Sequence, residues 1–398
     1  MRFILPLAIL LLFDAFVFRA FSLVMTDWSP NSQLLVTALY WAIPLSVLAL
    51  IAGLVWGKIT SQSKHFLLMS RAMLIIAYIS KFLIAIVLIL DSFRSLIIGD
   101  GPSVLMAQSG IVLGSIPFVL LTYGILRNRH RYQLFNEKIT IENLPSALDG
   151  LKIIQISDIH SGSFTQKEPI YKAIELINQQ EADLVFFTGD LVNSVAAEME
   201  GFVEVFDKIQ ARFGVYSIVG NHDYGDYVRW ADASAKRQNF ELLKEIHRRM
   251  GWDLMLNEHR LLEVNGEQVA IIGVENYSAH PRFPKYGDLR KAYEGTEPAR
   301  LKLLLSHDPT HWEDEVIKEF KDIALTFSGH THGFQFGIEI PGWIKWSPVK
   351  YVYKQWAGLY RQGEQFLYVN RGFGFLGYPG RVGILPEITL IELKKKDI

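Results

Sequence analysis

Leu151–His160, LKIIQISDIH, joins an almost unbroken apolar run to an acid and a histidine. The run is short and β-branched, with polar residues only at Lys152, Gln155 and Ser157, as in a strand buried on both faces. Four further segments repeat the arrangement. Leu184–Thr188 (LVFFT) runs into Gly189-Asp190, and Val215–Val219 (VYSIV) into Gly220-Asn221-His222-Asp223. Leu301–Leu305 (LKLLL) leads through Ser306 to His307-Asp308, and Ile323–Phe327 (IALTF) leads through Ser328 to Gly329-His330-Thr331-His332. Val269–Val274 is another strand-like run, and Gln166–Gln180 carries a helical pattern. Strands of this kind alternating with helices indicate an α/β layered domain with its sheet faces covered. Ligands bind outside the carboxyl ends of strands in such sheets, so five strand ends carrying Asp, Asn and His converge on one site.

The residue types at those ends define the chemistry. Two metal ions about 3.5–4 Å apart need one bridging carboxylate and a few further N or O ligands each. Asp158 and His160 stand two apart, as do His330 and His332, and on extended backbone each pair projects to one side. Glycines before Asp190, Asn221 and His330 allow tight turns there. The chain has no cysteine, which removes thiolate zinc sites, iron–sulfur clusters, disulfides and thiol nucleophiles. Hard or borderline divalent ions, Mn, Fe(II) or Zn, suit the remaining set.

Outward from this core, the N-terminal third is a different material. Of the 398 residues, 50% are hydrophobic and 20% charged, yet only 11 charged residues fall before Arg127, seven basic and four aspartates. Apolar stretches at Phe3–Met25, Leu34–Trp56, Phe66–Leu90 and Val104–Leu126 are each long enough to cross a bilayer, which takes about 20 helical residues. Asp14 and Arg19 interrupt the first, and no small-residue cleavage site follows, so it reads as a retained helix and not a signal peptide. Short loops set the orientation. Thr26–Gln33 carries one acid, whereas Gly57–His65 carries Lys58 and Lys64, and Arg127, Arg129 and Arg131 follow the fourth span. The positive-inside rule then puts both termini and the large second piece in the cytoplasm, in a multi-pass inner-membrane protein. Asp14 and Lys81, near the middles of spans one and three, are expected to pair within the bundle. The organisation expected is four spans over residues 1–126, a juxtamembrane linker and first strand over 127–150, and a catalytic domain over 151–398.

Basic and acidic residues number 40 and 41, for a net charge of −1, which excludes a general nucleic-acid binder. The blocks D-x-H, G-D, G-N-H-D, a single H and G-H-x-H, in that order, resemble the calcineurin-like metallophosphoesterase superfamily over about Lys138–Leu393. SDIH-SG, TGDLV and the late stretch from Asn370 to Ile388 are similar to its membrane-associated bacterial branch. The resemblance implies an α/β/β/α sandwich with two divalent ions, Mn, Fe or Zn. By position, Asp158, His160 and His332 would hold one ion, Asn221, His307 and His330 the other, and Asp190 would bridge. His222 would be the general acid, with Asp223 behind it setting its tautomer. A hydroxide bridging the ions would attack phosphorus in line, with no covalent enzyme intermediate. The implied substrate is a phosphodiester or pyrophosphate, in its sharpest form lipid-linked. A membrane-tethered nucleotide phosphodiesterase, or a non-catalytic scaffold or sensor that keeps its metal site, is the alternative; a transporter lacks the paired broken helices it would need.

Other residues carry lesser expectations. Tyr224–Lys236 is placed as a cap over the cleft. Trp343–Tyr360, aromatic with interspersed lysines, suits a membrane interface or a lipid head group. Arg371 and Arg381 are candidates for a substrate phosphate, and His280 for the cleft wall. His311 is a helix-start residue, and His259 a solvated residue in a charged turn.

Overall fold

The computed structural model describes residues 4–55, 64–340 and 342–396. The chain divides into two compact units, one of residues 1–126 with 377–380, the other of 127–376 with 381–398.

In the first unit, α1 (Ile4–Val24), α2 (Pro30–Val55), α3 (Lys64–Ile98) and α4 (Val104–Tyr123) are the four apolar helices, each long enough to span a bilayer. The protein is therefore multi-pass. Helix α3 runs eight residues past the expected end at Leu90, because nothing breaks it before Gly99 turns left-handed at φ 80°. Asp91 and Arg94, beyond that expected end, lie inside it and pair one turn apart at 2.8 Å. The Asp91 carboxylate also accepts the Ser103 N–H at 2.9 Å, tying the start of α4 to α3. The expected intramembrane pair is present: Lys81 Nζ donates to Asp14 Oδ1 at 2.6 Å, and both side chains are buried. Tyr78 donates to Asp14 Oδ2 at 2.9 Å and Tyr40 to the Asp14 carbonyl at 2.7 Å. Phe3 and the 56–63 part of the loop that bears Lys58 lie outside the described residues.

The second unit is built on strands β1 (Gln133–Ile141), β2 (Lys152–Ile156), β3 (Leu184–Phe187), β4 (Val215–Ser217), β5 (Trp252–Leu254), β6 (Glu258–Val264) and β7 (Glu267–Gly273). The series continues with β8 (Leu301–Leu305), β9 (Leu325–Ser328), β10 (Ile338–Ile340), β11 (Ile344–Trp346), β12 (Gly358–Gln362), β13 (Gln365–Val369) and β14 (Glu387–Lys395). One sheet has the order β1-β14-β2-β3-β4-β5, the other β12-β13-β9-β8-β7-β6, and β10 and β11 form a separate hairpin. In the first sheet β2 through β5 are parallel, with Ile153 opposite Leu184 and Val185 opposite Val215. In the second, β7, β8, β9 and β13 are parallel. The chain's last strand, β14, inserts between β1 and β2, so residues 254 apart stand side by side at Ile139 and Leu393.

Strand alternation builds the layers. Ile153, Leu184 and Phe186 from one sheet meet Leu303, Leu305, Leu325 and Phe327 from the other in one buried core. Phe186 and Phe327 meet edge to face with centroids 4.9 Å apart. The alternate residues Ala270, Ile272, Leu304 and Leu367 turn outward and pack on Leu289, Ala292, Trp312 and Val316 from the covering helical segments. Each Leu, Ile, Val or Phe among them fully removed from water contributes about 1.5–3 kcal/mol. Strands buried on both faces explain why these runs are continuously apolar instead of alternating.

Candidate metal centre

Every strand that leads to a predicted ligand stops two to four residues before it, and the ligands sit in the turns beyond. Backbone conformation at those turns is unusual. Asp158 (φ 52°), His160 (49°), Asp190 (61°), His330 (70°) and His332 (52°) all occupy the left-handed region. The extended backbone expected for the D-x-H and H-x-H pairs is thus absent: left-handed turns, not strand alternation, bring each pair together. Such a conformation costs an ordinary residue about 1–2 kcal/mol, and strain of this kind clusters at functional sites. Of the glycines, Gly189 supplies a turn at φ 95°, and a Cβ there would stand 2.5 Å from Gly220 N. Gly220 and Gly329 serve differently from expectation: a Cβ at Gly220 would strike the Asp190 carboxylate, and one at Gly329 would strike Ser157 and Asp158.

Two groups of metal-ligating atoms result. Asp158, His160 and His332 form one, and Asp190, His307 and His330 the other, the atoms of each lying within 4.8 Å of one another. His160 Nε2 and His332 Nε2 face each other at 3.0 Å, and Asp158 Oδ1 lies 3.3 Å from His332 Nε2. Asp190 Oδ2 stands between the groups, 3.6 Å from His160 Nε2 and 3.3 Å from His307 Nε2. His330 Nδ1 is 3.2 Å from His307 Nε2. Asn221 is buried, its Nδ2 donating to the Tyr227 hydroxyl at 2.8 Å, while its Oδ1 has no hydrogen-bond partner.

The electrostatics suit divalent cations. Burial pushes His160 down to about 3 and His330 to about 4, so both rings are neutral and have lone pairs to give. His307 goes the other way, to about 10: burial opposes its charge, but the Asp190 carboxylate overrides it. A divalent ion held by Asp190 and His307 would take the place of that proton. His307 Nδ1 donates to the Thr188 carbonyl at 2.7 Å, which fixes the ring with Nε2 toward the site. The orphaned Asn221 oxygen, the facing imidazole nitrogens and the all-N/O donor set fit two divalent metal ions.

His222 and Asp223 part company. His222 Nδ1 hydrogen-bonds the Asn193 carbonyl at 2.6 Å, leaving Nε2 as the free edge, and its ring lies 4.9 Å from that of His160. Asp223, expected to set the His222 tautomer, is instead fully buried beneath the loop. Its Oδ1 accepts the N–H groups of Leu191 (2.9 Å) and Val192 (3.2 Å), and its Oδ2 those of Asp190 and Gly220 (both 2.9 Å). A backbone carbonyl, not a carboxylate, holds the histidine.

The lesser candidates sort clearly. Arg371 is enclosed in ion pairs with Glu387 at 2.6 Å and Glu339 at 2.5 Å, so its guanidinium is already engaged by carboxylates of the fold. Arg381 is fully buried and donates to the carbonyls of Arg371 (2.7 Å) and Gly372 (3.0 Å), bracing the loop behind the ligands. His311 bonds Ser306 Oγ and Glu315 and is no ligand. His259 lies in β6 and not a turn, its Nδ1 on the Ala292 carbonyl at 3.0 Å. Within the expected cap, Tyr227 stacks on His222 with centroids 4.3 Å apart. His280 packs edge-on against Tyr353 at 5.1 Å. Tyr353 itself was hidden in the aromatic stretch: its hydroxyl meets His330 Nε2 at 2.7 Å, a contact that only the fold creates.

Comparison with known proteins agrees. Residues 151–334 match the family model of the calcineurin-like phosphoesterases, and residues 1–129 match one described as "Probable Calcineurin-like phosphoesterase, transmembrane domain". The chain belongs to the calcineurin-like metallophosphoesterases that carry a transmembrane domain. A zebrafish (Danio rerio) "Transmembrane protein with metallophosphoesterase domain" is 30% identical over 289 residues, 70% of this chain and 61% of that protein. Its cattle (Bos taurus) counterpart is 28% identical over 69% of this chain and 60% of that one. The chain thus spans about three-fifths of either animal relative. The uncharacterized metallophosphoesterase YkuE of Bacillus subtilis is 29% identical over 68% of this chain and 90% of its own length.

Proposed function

We propose that this membrane-anchored metallophosphoesterase hydrolyses a phosphodiester or pyrophosphate, with its catalytic unit on the cytoplasmic side. The observation that carries the reading is Asp190: one carboxylate oxygen stands 3.3 Å and 3.6 Å from histidines of two separate ligand groups. Asp158, His160 and His332 would hold one divalent ion, and Asn221, His307 and His330 the other. Such ions, when bound, supply Lewis-acid charge at phosphorus and lower the pKa of water. The chain's own groups do the rest. With Nδ1–H donated to the Asn193 carbonyl, His222 presents Nε2–H to the leaving-group oxygen and gives it a proton as the P–O bond breaks. Tyr227, stacked on His222 and bonded to Asn221, holds both against rotation and keeps water from that face. Tyr353 fixes the His330 ring.

The test is hydrolysis of bis-p-nitrophenyl phosphate, p-nitrophenyl phosphate and a lipid-linked diphosphate by detergent-solubilised protein with added Mn(II). Turnover of the diester or diphosphate above the monoester, lost in Asp190→Asn, supports the reading. A monoester preference overturns the substrate class.

A further inference from the structure

The hairpin β10–β11 follows directly on the metal-ligand turn, since the short helical segment His332–Gln335 leads into it. Its two faces are unlike. Glu339 turns inward to pair with Arg371, and its cross-strand neighbour Lys345 donates to the Ala357 carbonyl at 2.5 Å. The outer face carries Ile338 opposite Trp346 and Ile340 opposite Ile344. Among the described residues no layer of this unit covers it: Ile338 is 49% exposed, Ile340 42%, Trp343 beside the turn 78%, and Phe334 and Tyr351 61% and 75%. A two-stranded hairpin is marginal alone, and exposed apolar patches of this extent mark an interaction surface.

What covers this face can be argued from the chain itself. The fourth span ends at Asn128 and β1 begins at Gln133, so four residues separate a bilayer helix from the catalytic sheet. Four extended residues reach about 14 Å at most. The chain therefore enters β1 within reach of the bilayer surface. Trp and Tyr flanked by Lys is the composition of a membrane interface, and Lys350 lies 5.3 Å from the Tyr351 ring centre. We infer that the outer face of the β10–β11 hairpin, led by Trp343, inserts into the head-group region of the bilayer and sets the metal centre beside it. The contact rests on geometry and connectivity alone. Its consequence, that the phosphate hydrolysed is carried on a lipid, rests on the phosphoesterase reading above.

The absence of cysteine makes the test direct, because a single Trp343→Cys in the full-length protein takes one nitroxide. A Glu297→Cys label, on another exposed loop, is the control. Both are reconstituted in phosphatidylglycerol/phosphatidylethanolamine vesicles, and collisions with oxygen and with a water-soluble nickel chelate are compared. Insertion predicts a label at 343 that is oxygen-rich and nickel-shielded, with the reverse at 297. Equal nickel access at the two sites overturns it. So does spin–spin broadening at 343 that disappears on dilution with unlabelled protein, since a second copy would then cover the hairpin. For the consequence, Ile338→Ser/Ile340→Ser is assayed on vesicle-borne hexadecyl p-nitrophenyl phosphate and on soluble bis-p-nitrophenyl phosphate. The ratio of the two rates is expected to fall about tenfold. An unchanged ratio refutes lipid-surface uptake, whereas failure of the wild type on both diesters refutes the phosphoesterase reading and leaves the spin-label result standing.

Discussion

Asp223→Asn separates two roles for a residue that sequence alone places behind the catalytic histidine. The carboxylate accepts four buried backbone N–H groups, two on each oxygen, at 2.9–3.2 Å. An amide of the same shape can accept only two of them, and whichever way it is turned its NH2 faces two donors. Each lost bond to a charged acceptor costs about 1.5–3 kcal/mol, so the variant should lose about 3–6 kcal/mol. Against a total stability of about 5–15 kcal/mol that is severe. In a unit of this size it lowers the melting temperature by about 6–24 °C. The damage is also local, because either orientation leaves N–H groups of the ligand-bearing loops facing the amide, Asp190 and Gly220 or Leu191 and Val192. Thermal unfolding with metal analysis of the purified protein is the assay. Lower melting and less than two ions per chain are expected. Unchanged melting and metal content with only a slower rate would refute the reasoning and restore Asp223 as the partner of His222.

Other perturbations follow from the same geometry. His222→Ala should slow diesters with alkoxide leaving groups about 10²–10⁴-fold and p-nitrophenyl esters far less, because p-nitrophenolate leaves without a proton. Equal losses on both would contradict an acid role. His247 is buried against Ser217 Oγ at 3.0 Å, and burial pushes it down to about 3. A histidine held neutral in the fold stabilises fully above its unfolded pKa near 6.5. Stability then falls by about 1.4 kcal/mol per pH unit below that, until the folded value is reached. His247→Gln should flatten this limb of a denaturation series between pH 6.5 and 4, and an unaltered slope would assign it elsewhere. In the membrane unit, Asp14→Asn and Lys81→Met each strand a buried charge and should cost about 3–5 kcal/mol, while the double variant recovers most of it. Additive losses in a detergent-unfolding cycle would show that the two do not act as a pair.

What the sequence reveals here, and what it hides, divides by range of interaction. Long apolar runs announce both the spans and the doubly buried strands, because burial on all sides leaves no polar alternation to obscure them. Chemistry-bearing residues at five strand ends announce the site, since the fold class fixes where strand ends meet. Apart from the Asp14–Lys81 pair, what single contacts carry across the fold was hidden. Nothing in G-N-H-D says that its aspartate turns back to cap the 189–192 loop, or that the Asn193 carbonyl receives the histidine. The left-handed turns at Asp158, His160, His330 and His332 contradict ordinary propensity, and only the packing around them enforces the strain. Arg371 and Arg381 look like phosphate ligands by type, yet their partners, Glu339, Glu387 and backbone carbonyls, lie 7–49 residues away along the chain. Tyr353 and Trp343 read alike in one aromatic stretch. The fold buries the first on a metal-site histidine and leaves the second 78% exposed.

The central claim is a dinuclear centre bridged by Asp190, and metal counting tests it most directly. The full-length protein is stripped with chelator, reloaded with Mn(II) and analysed for bound metal beside Asp190→Asn. Two ions per wild-type chain, with a higher melting temperature on loading and a clear loss of metal in the variant, is the predicted result. One ion or none in the wild type, or an unchanged count of two in Asp190→Asn, would contradict it.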